Sequence, residues 1–226
     1  PMPTQPFHSE EATVPCLMTS DRLTESQRRF LKAFAPTQLK RRFSLTGGAG
    51  LAGAYLAHRF SDDLDFFSPH KVPLKRLIAF MRALPGLKDL QWLLPRERTT
   101  FMITWDDDTQ VKVEYRQFPY PYAQSPVAIG PFYVDSLRDL LANKLYAVIE
   151  RRYELDRIDI YLMLERIGTL DLDEGIAMAE KKFGLQGQIK KSVLERLRGP
   201  LPEAVPDALF DPIDLKEMAA TFERLS

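Results

Sequence analysis

Two glycines followed by two aspartates on alternate positions constrain this chain more than anything else in it. Phe43 to Leu45 is a short apolar run that stops at the pair Gly47-Gly48, and Leu51 to Arg59 resumes with helical spacing. The pair therefore falls at a turn from strand to helix, where glycine lets backbone N–H groups come close to a phosphate. Eleven residues beyond Gly50 begins the run Ser61-Asp62-Asp63-Leu64-Asp65-Phe66-Phe67. On a strand, residues two apart share a face, so Asp63 and Asp65 project together while Leu64 and Phe66 face a core. Adjacent carboxylates repel unless a cation lies between them. Hard oxygen ligands used together with substrate phosphates suit Mg²⁺, or Mn²⁺ in its place.

Phosphoryl-type transfer asks a protein mainly for position and charge neutralisation. A third carboxylate on a neighbouring strand would complete such a metal site and take the proton from an attacking hydroxyl. In the alternating run Val111 to Tyr115, Glu114 is the one acid, which makes it the candidate for that role. The competing reading leaves Glu114 on a solvated strand face beside Lys112. Asp62, out of phase with the pair, reads as a turn cap. Arg59 either braces the loop or reaches a substrate phosphate, and His58, without a ligand partner, reads as structural or exposed.

The remaining pattern is α+β. Thr24, with Gln27 three residues on, opens a helix through Phe30, Leu31 and Phe34 toward Leu39. Pro73 opens another, striped by Leu74, Leu77, Ile78, Met81 and Leu84. Asp89–Leu94, Thr99–Trp105 and Gln110–Gln117 read as strands, the last two joined at Asp106-Asp107-Asp108-Thr109. Segments 136–152, 156–166, 171–183, 188–197 and 212–225 read as helices. The expected organisation is an irregular lead segment over 1–20, a mixed-sheet core over 21–118, a linker over 119–134 and a helical lobe over 135–226. The linker assignment rests on Pro119, Pro121, Pro126 and Pro131, which a sheet interior does not accept.

Composition narrows the setting. Zero formal net charge over 226 residues gives no overall basic field for nucleic acid, although a local patch formed by Arg151, Arg152, Arg157 and Arg166 would not show in that sum. The single cysteine forms no internal disulfide, no run approaches the length needed to cross a bilayer, and the amino end carries no signal pattern. The expectation is a cytoplasmic protein without a membrane partner.

Joined at this spacing, Gly47-Gly48 and His58-Arg59-Phe60-Ser61-Asp62-Asp63-Leu64-Asp65-Phe66-Phe67-Ser68 resemble the AbiEii/AbiGii-type nucleotidyltransferase toxins, a branch of the DNA polymerase β-like nucleotidyltransferase superfamily. The resemblance continues through Asp139-Leu140-Leu141-Ala142-Asn143-Lys144, which matches the family's Asp-x4-Lys motif, and Asp156-Arg157-Ile158-Asp159, which matches its Asp-x2-Asp motif, and it covers the middle two-thirds of the chain. It implies a polymerase β-like core followed by a helical C-terminal lobe. It also implies Asp63, Asp65 and Glu114 as metal-binding and catalytic residues. Asp159 would be a further catalytic or nucleotide-site residue, Lys144 a triphosphate contact, and Gly47, Gly48, Ser61 and Arg59 the rest of the nucleotide site. Two positions depart from the family pattern: Ala49 stands where Ser or Thr is usual, and Leu155 where Lys or Arg is usual.

The functional expectation is an Mg²⁺-dependent enzyme that moves a nucleoside monophosphate from an NTP to a hydroxyl acceptor. By resemblance that acceptor is RNA at a tRNA end, and the partner is a separately encoded antitoxin. Ala49 and Leu155 leave open a nucleotide- or RNA-binding module with weakened chemistry. Tyr120, Tyr122 and Tyr133 leave open a small-molecule acceptor.

Overall fold

The computed structural model of the chain describes residues 17–94, 98–151, 153–200, 206–210 and 212–225. Most of the expected lead segment, residues 1–16, lies outside the described residues, as does Arg152. From Leu17 onward the segment is already part of the core, with Leu17 fully buried.

Helix α1 (Glu25–Phe34) opens at a complete capping box. Thr24 Oγ1 accepts the Gln27 N–H at 3.2 Å, and the Thr24 N–H donates to Gln27 Oε1 at 2.9 Å. It stops at Phe34 instead of reaching Leu39: Ala35 still has helical backbone and donates to Leu31 O, but Pro36 has no N–H with which to continue the ladder. Then come β1 (Ser44–Thr46), α2 (Gly47–Leu51) running into one π-helical turn (Ala52–Leu56), β2 (Asp63–Ser68), α3 (Leu74–Arg82), β3 (Leu87–Leu93), β4 (Arg98–Trp105) and β5 (Gln110–Gln117). After these lie β6 (Val127–Ile129), β7 (Phe132–Val134), α4 (Leu137–Glu150), α5 (Glu154–Arg166), α6 (Leu172–Phe183), α7 (Lys190–Leu197) and α8 (Leu215–Arg224).

The strands form one mixed sheet in the order β3-β4-β5-β2-β1-β7-β6. β2 runs antiparallel to β1 and parallel to β5, and this register sets Asp63 beside Lys112 and Asp65 beside Glu114. Part of the segment expected to be a linker thus joins the sheet. The strands β6 and β7 are only three residues each and lie at the sheet's edge, with Pro119, Pro121 and Pro126 before them and Pro131 in the turn between them, so no proline interrupts a ladder. Gly130 takes the positive φ of 56° that this tight turn needs.

Alternation along β5 separates two environments. Val111, Val113 and Tyr115 are buried with Phe30 and Phe34 of α1, and Tyr115 stacks on Phe66 at 5.2 Å. Lys112, Glu114 and Arg116 point to the opposite face. A second apolar cluster, built around Leu141, Leu145, Ile158, Val193 and Phe222, holds the later helices together. Ser136, Asp171 and Asp214 cap α4, α6 and α8 by accepting N–H groups of the first turn. The chain segment 206–210 returns to the sheet end: Phe60 N–H donates to Ala208 O at 2.9 Å and Phe210 N–H to His58 O at 3.0 Å. No helix among the described residues is long and apolar enough to cross a membrane.

Candidate active site

The glycine pair is the first turn of α2 itself, and close approach explains both residues. Gly47 has φ +63°, and a Cβ there would collide with the Asp65 carboxylate. A Cβ on Gly48 would sit 2.5 Å from Arg59 Nη2 and 2.7 Å from Ser61 Oγ. Without side chains in the way, the start of the helix lies directly against Asp65, Arg59 and Ser61. Ala49 points the other way, fully buried in the core. A hydroxyl at 49 would therefore sit among apolar side chains of the core. Leu155 likewise packs in the helical cluster.

Asp63, Asp65 and Glu114 come together as their alternation and register require. Asp65 carries the electrostatic cost of that arrangement: burial first, then Glu114 and Asp63, push its pKa up to about 7. Lys112 Nζ lies 2.6 Å from Asp63 Oδ2 and 3.0 Å from Glu114 Oε1. Burial alone would lower the lysine's pKa, but hydrogen bonds to both carboxylates outweigh it and hold it above the usual value. Thr100 Oγ1 reaches Glu114 Oε1 at 3.4 Å, and Arg98 Nη1 reaches Oε2 at 3.5 Å. The donor set is all oxygen and anionic, which fits a hard divalent cation. Among the described residues, no three acidic, histidine or cysteine side chains already converge as a metal-binding group. Within the group, Lys112 offsets the charge of Asp63 and Glu114.

A buried ionic hub stands behind this site. Asp159, with no exposed surface, accepts from His58 Nε2 at 2.8 Å, Arg59 Nε at 2.7 Å and Nη2 at 2.8 Å, and Lys144 Nζ at 2.6 Å. Burial would raise its pKa, but Lys144, Arg59 and His58 prevail and hold it well below the usual carboxylate range. Lys144 also binds Asp156 Oδ1 at 2.6 Å, and Arg151 Nε binds Asp156 Oδ2 at 2.8 Å. Burial would lower the Lys144 pKa, and Asp159 and Asp156 keep it raised. His58 is buried and neutral, its pKa lowered by desolvation. Asp156 does not cap α5, which starts after Tyr153. It pairs instead with Arg151 and Lys144.

One cleft runs past these groups. A chamber of about 350 Å³ reaches from Gly47, Asp65 and Glu114 to Lys144 and Arg151, and its far wall is aromatic, with Phe67, Phe118, Tyr120, Tyr146 and Phe183. A polar arm of about 210 Å³ continues over Gly48, Arg59, Ser61, Asp63 and Lys112. Lys144, although buried, lines both. Asp159 lines neither, which corrects its placement among groups that touch substrate: its oxygens are consumed by Arg59, His58 and Lys144, so it acts through them. Arg59 is committed mainly to that brace while still bordering the polar arm. Ser61 also borders it, with its Oγ turned to Asp63 O at 3.4 Å.

Sequence reasoning missed several contributors. Arg98 and Arg116 on the carboxylate side of the sheet were discernible by alternation once Glu114 was assigned, whereas Tyr146 and Phe183 come from separate helices and left no local signal. Arg157 does not join the expected basic patch. Arg157 is buried and donates to the carbonyls of Leu197, Gly199 and Pro200, closing the end of α7. Tyr120 lines the cleft, while Tyr122 packs beside Ser44, its hydroxyl 3.4 Å from Ser44 Oγ. Asp139, the first residue of the Asp-x4-Lys motif, is fully buried. It accepts from the Ala123 and Gln124 N–H groups at 3.1 and 2.8 Å and from Lys182 Nζ at 2.5 Å.

Comparison with known proteins agrees with this geometry. The chain is 27% identical over 165 residues to the uncharacterized protein aq_aa25 of Aquifex aeolicus, covering 72% of this chain and 76% of that one. Its fold is shared with the crystal structure of JHP933 from Helicobacter pylori, at a TM-score of 0.59 and 20% identity over 88% of this chain and 86% of that chain. The profile described as nucleotidyl transferase AbiEii toxin, type IV TA system, matches residues 29–226. The α+β fold is thus that of a nucleotidyltransferase, and the chain belongs to the AbiEii toxin family of type IV toxin–antitoxin systems.

Proposed function

We propose that this protein transfers a nucleoside monophosphate from an NTP to a hydroxyl of RNA, at a tRNA end, releasing pyrophosphate, and that a separately encoded antitoxin restrains it in the cytoplasm. The observation that carries the reading is the convergence of the glycine turn, three carboxylates and a buried lysine on one cleft with an aromatic wall. Asp63, Asp65 and Glu114 would hold Mg²⁺, or Mn²⁺, which supplies charge neutralisation to the reacting phosphates. Gly47 and Gly48 let the start of α2 lie directly against Asp65, Arg59 and Ser61 on the wall of the cleft, where its backbone N–H groups can meet phosphate oxygens. Lys144 and Arg151 face the departing phosphates with charges fixed by Asp156 and Asp159. Glu114, oriented by Thr100 and Arg98, takes the proton from the attacking hydroxyl, and the aromatic wall offers faces on which a base can stack.

The test is incubation with each labelled NTP, Mg²⁺ and total RNA, in parallel with Asp63→Asn. Label should enter the RNA fraction with the native chain and not with the variant. Nucleotide that binds and is never converted would favour a binding module. Label found only on an added small molecule would favour a different acceptor class, to which Tyr120 in the cleft could contribute.

A further inference from the structure

Lys112, a cation in the polar arm of the cleft, has no part in the proposed transfer. Lys112 sits on β5 directly beside Asp63 and two positions before Glu114, so register and alternation aim all three side chains at one point. Its ammonium binds Asp63 Oδ2 at 2.6 Å and Glu114 Oε1 at 3.0 Å, with the side chain one-third exposed. It therefore stands between two of the carboxylates assigned to a divalent cation, bonded to an oxygen of each. An ammonium bonded to Asp63 Oδ2 and Glu114 Oε1 competes with any cation that needs those same two oxygens, and its positive charge adds repulsion to the competition.

We propose that Lys112 is a tethered counter-ion of the metal site. It holds Asp63 and Glu114 together while no divalent cation is bound, and it must withdraw toward solvent when one arrives. Lys112 thereby weakens metal affinity and makes occupancy of the site depend on metal together with the nucleotide's own phosphates. The inference rests on the metal-site reading under Proposed function. It differs from the expectation that Lys112 merely shares a solvated face with Glu114, because it assigns the lysine a competitor and a direction of effect.

Mn²⁺ serves as the probe, its free concentration read by electron paramagnetic resonance against the full chain without nucleotide. Lys112→Met keeps the unbranched stem and removes the charge, and Lys112→Arg keeps a charge. Lys112→Met should bind Mn²⁺ about tenfold more tightly than the native chain, a difference of about 1.4 kcal/mol, while Lys112→Arg should not tighten it. In chelator, Lys112→Met should melt below the native chain, and added Mn²⁺ should raise its melting temperature by the larger amount. Equal or weaker Mn²⁺ binding by Lys112→Met overturns the inference. If the native chain binds Mn²⁺, Asp63→Asn abolishes that binding and Lys112→Met leaves it unchanged, the metal site stands and only the counter-ion role falls. If neither the native chain nor Lys112→Met binds Mn²⁺, with or without added NTP, both fall. Should Lys112→Met not fold, Lys112→Gln is read by the same criterion.

Discussion

At the scale of single residues, the site is a set of charges whose values are fixed by their neighbours. The fold retains the Asp65 proton to about pH 7, whereas the unfolded chain releases it near 3.8. This group's favourable contribution is complete at acid pH and is lost as pH rises toward 7. In metal-free buffer Asp65→Asn should therefore melt above the native chain by a margin that grows between about pH 4 and 7 and then levels, while transfer activity is lost. Asp159 has the opposite sign: its depressed pKa contributes stability above the ordinary carboxylate value, lost as pH falls below it. His58, buried and neutral, adds a loss that begins as pH drops below 6.5. Asp159→Asn should cost about 3 to 5 kcal/mol in chemical denaturation, since it leaves Arg59 and Lys144 buried with less than their charge compensated. The same network means that Lys144→Ala removes a structural ion pair along with a phosphate contact, so nucleotide affinity in that variant must be read well below its melting temperature. Gly47 and Gly48 were plain in the sequence as a turn. That each glycine is required by a specific later side chain, Asp65 for one and Arg59 with Ser61 for the other, was not, because those contacts cross an intervening loop.

At the scale of elements, legibility followed locality. The α1 capping box and the full extent of β5 are set by neighbours in sequence, and both match the spacing of their residues. α1 overran in expectation because the apolar stripe continues past Pro36, which ends the helix. β6 and β7 escaped because the density of prolines outweighed two three-residue apolar runs, and only the bare edge of β1 makes those runs into strands. The start of α4 has a job that its family motif did not announce. Through Asp139 it pins the backbone of Ala123 and Gln124, and Lys182 arrives from α6 to balance the charge. Asp139→Asn should release that segment, seen as faster hydrogen exchange at the Ala123 and Gln124 amides and a loss of about 3 kcal/mol or more from the unpaired Lys182.

At the scale of the whole molecule, a sheet core and a helical cluster meet along the cleft, and the buried ionic hub is what ties them. Its central pair, Arg59 with Asp159, is separated by 100 residues, and the bridge beside it reaches from Arg59 to Leu209. No local pattern could reveal such a joint, although each of its members lay in a motif. Arg59→Lys keeps the charge but loses the planar fork that grips both Asp159 oxygens. It should loosen the joint, with faster exchange at the Phe60 and Phe210 amides and Mg²⁺-NTP affinity reduced about tenfold, or about 1.4 kcal/mol. The long span also sets the order in which the site comes into being on the ribosome. The glycine turn and the aspartate strand emerge early, yet Lys144 and Arg59 lack the carboxylates that hold them until Asp156 and Asp159 are translated, and the 58–60 loop has no strap until residues 206–210 are made. The groups that fix Arg59 and the 58–60 loop therefore come from well after them in the chain, and the site is complete only once the segment through residue 210 has been made.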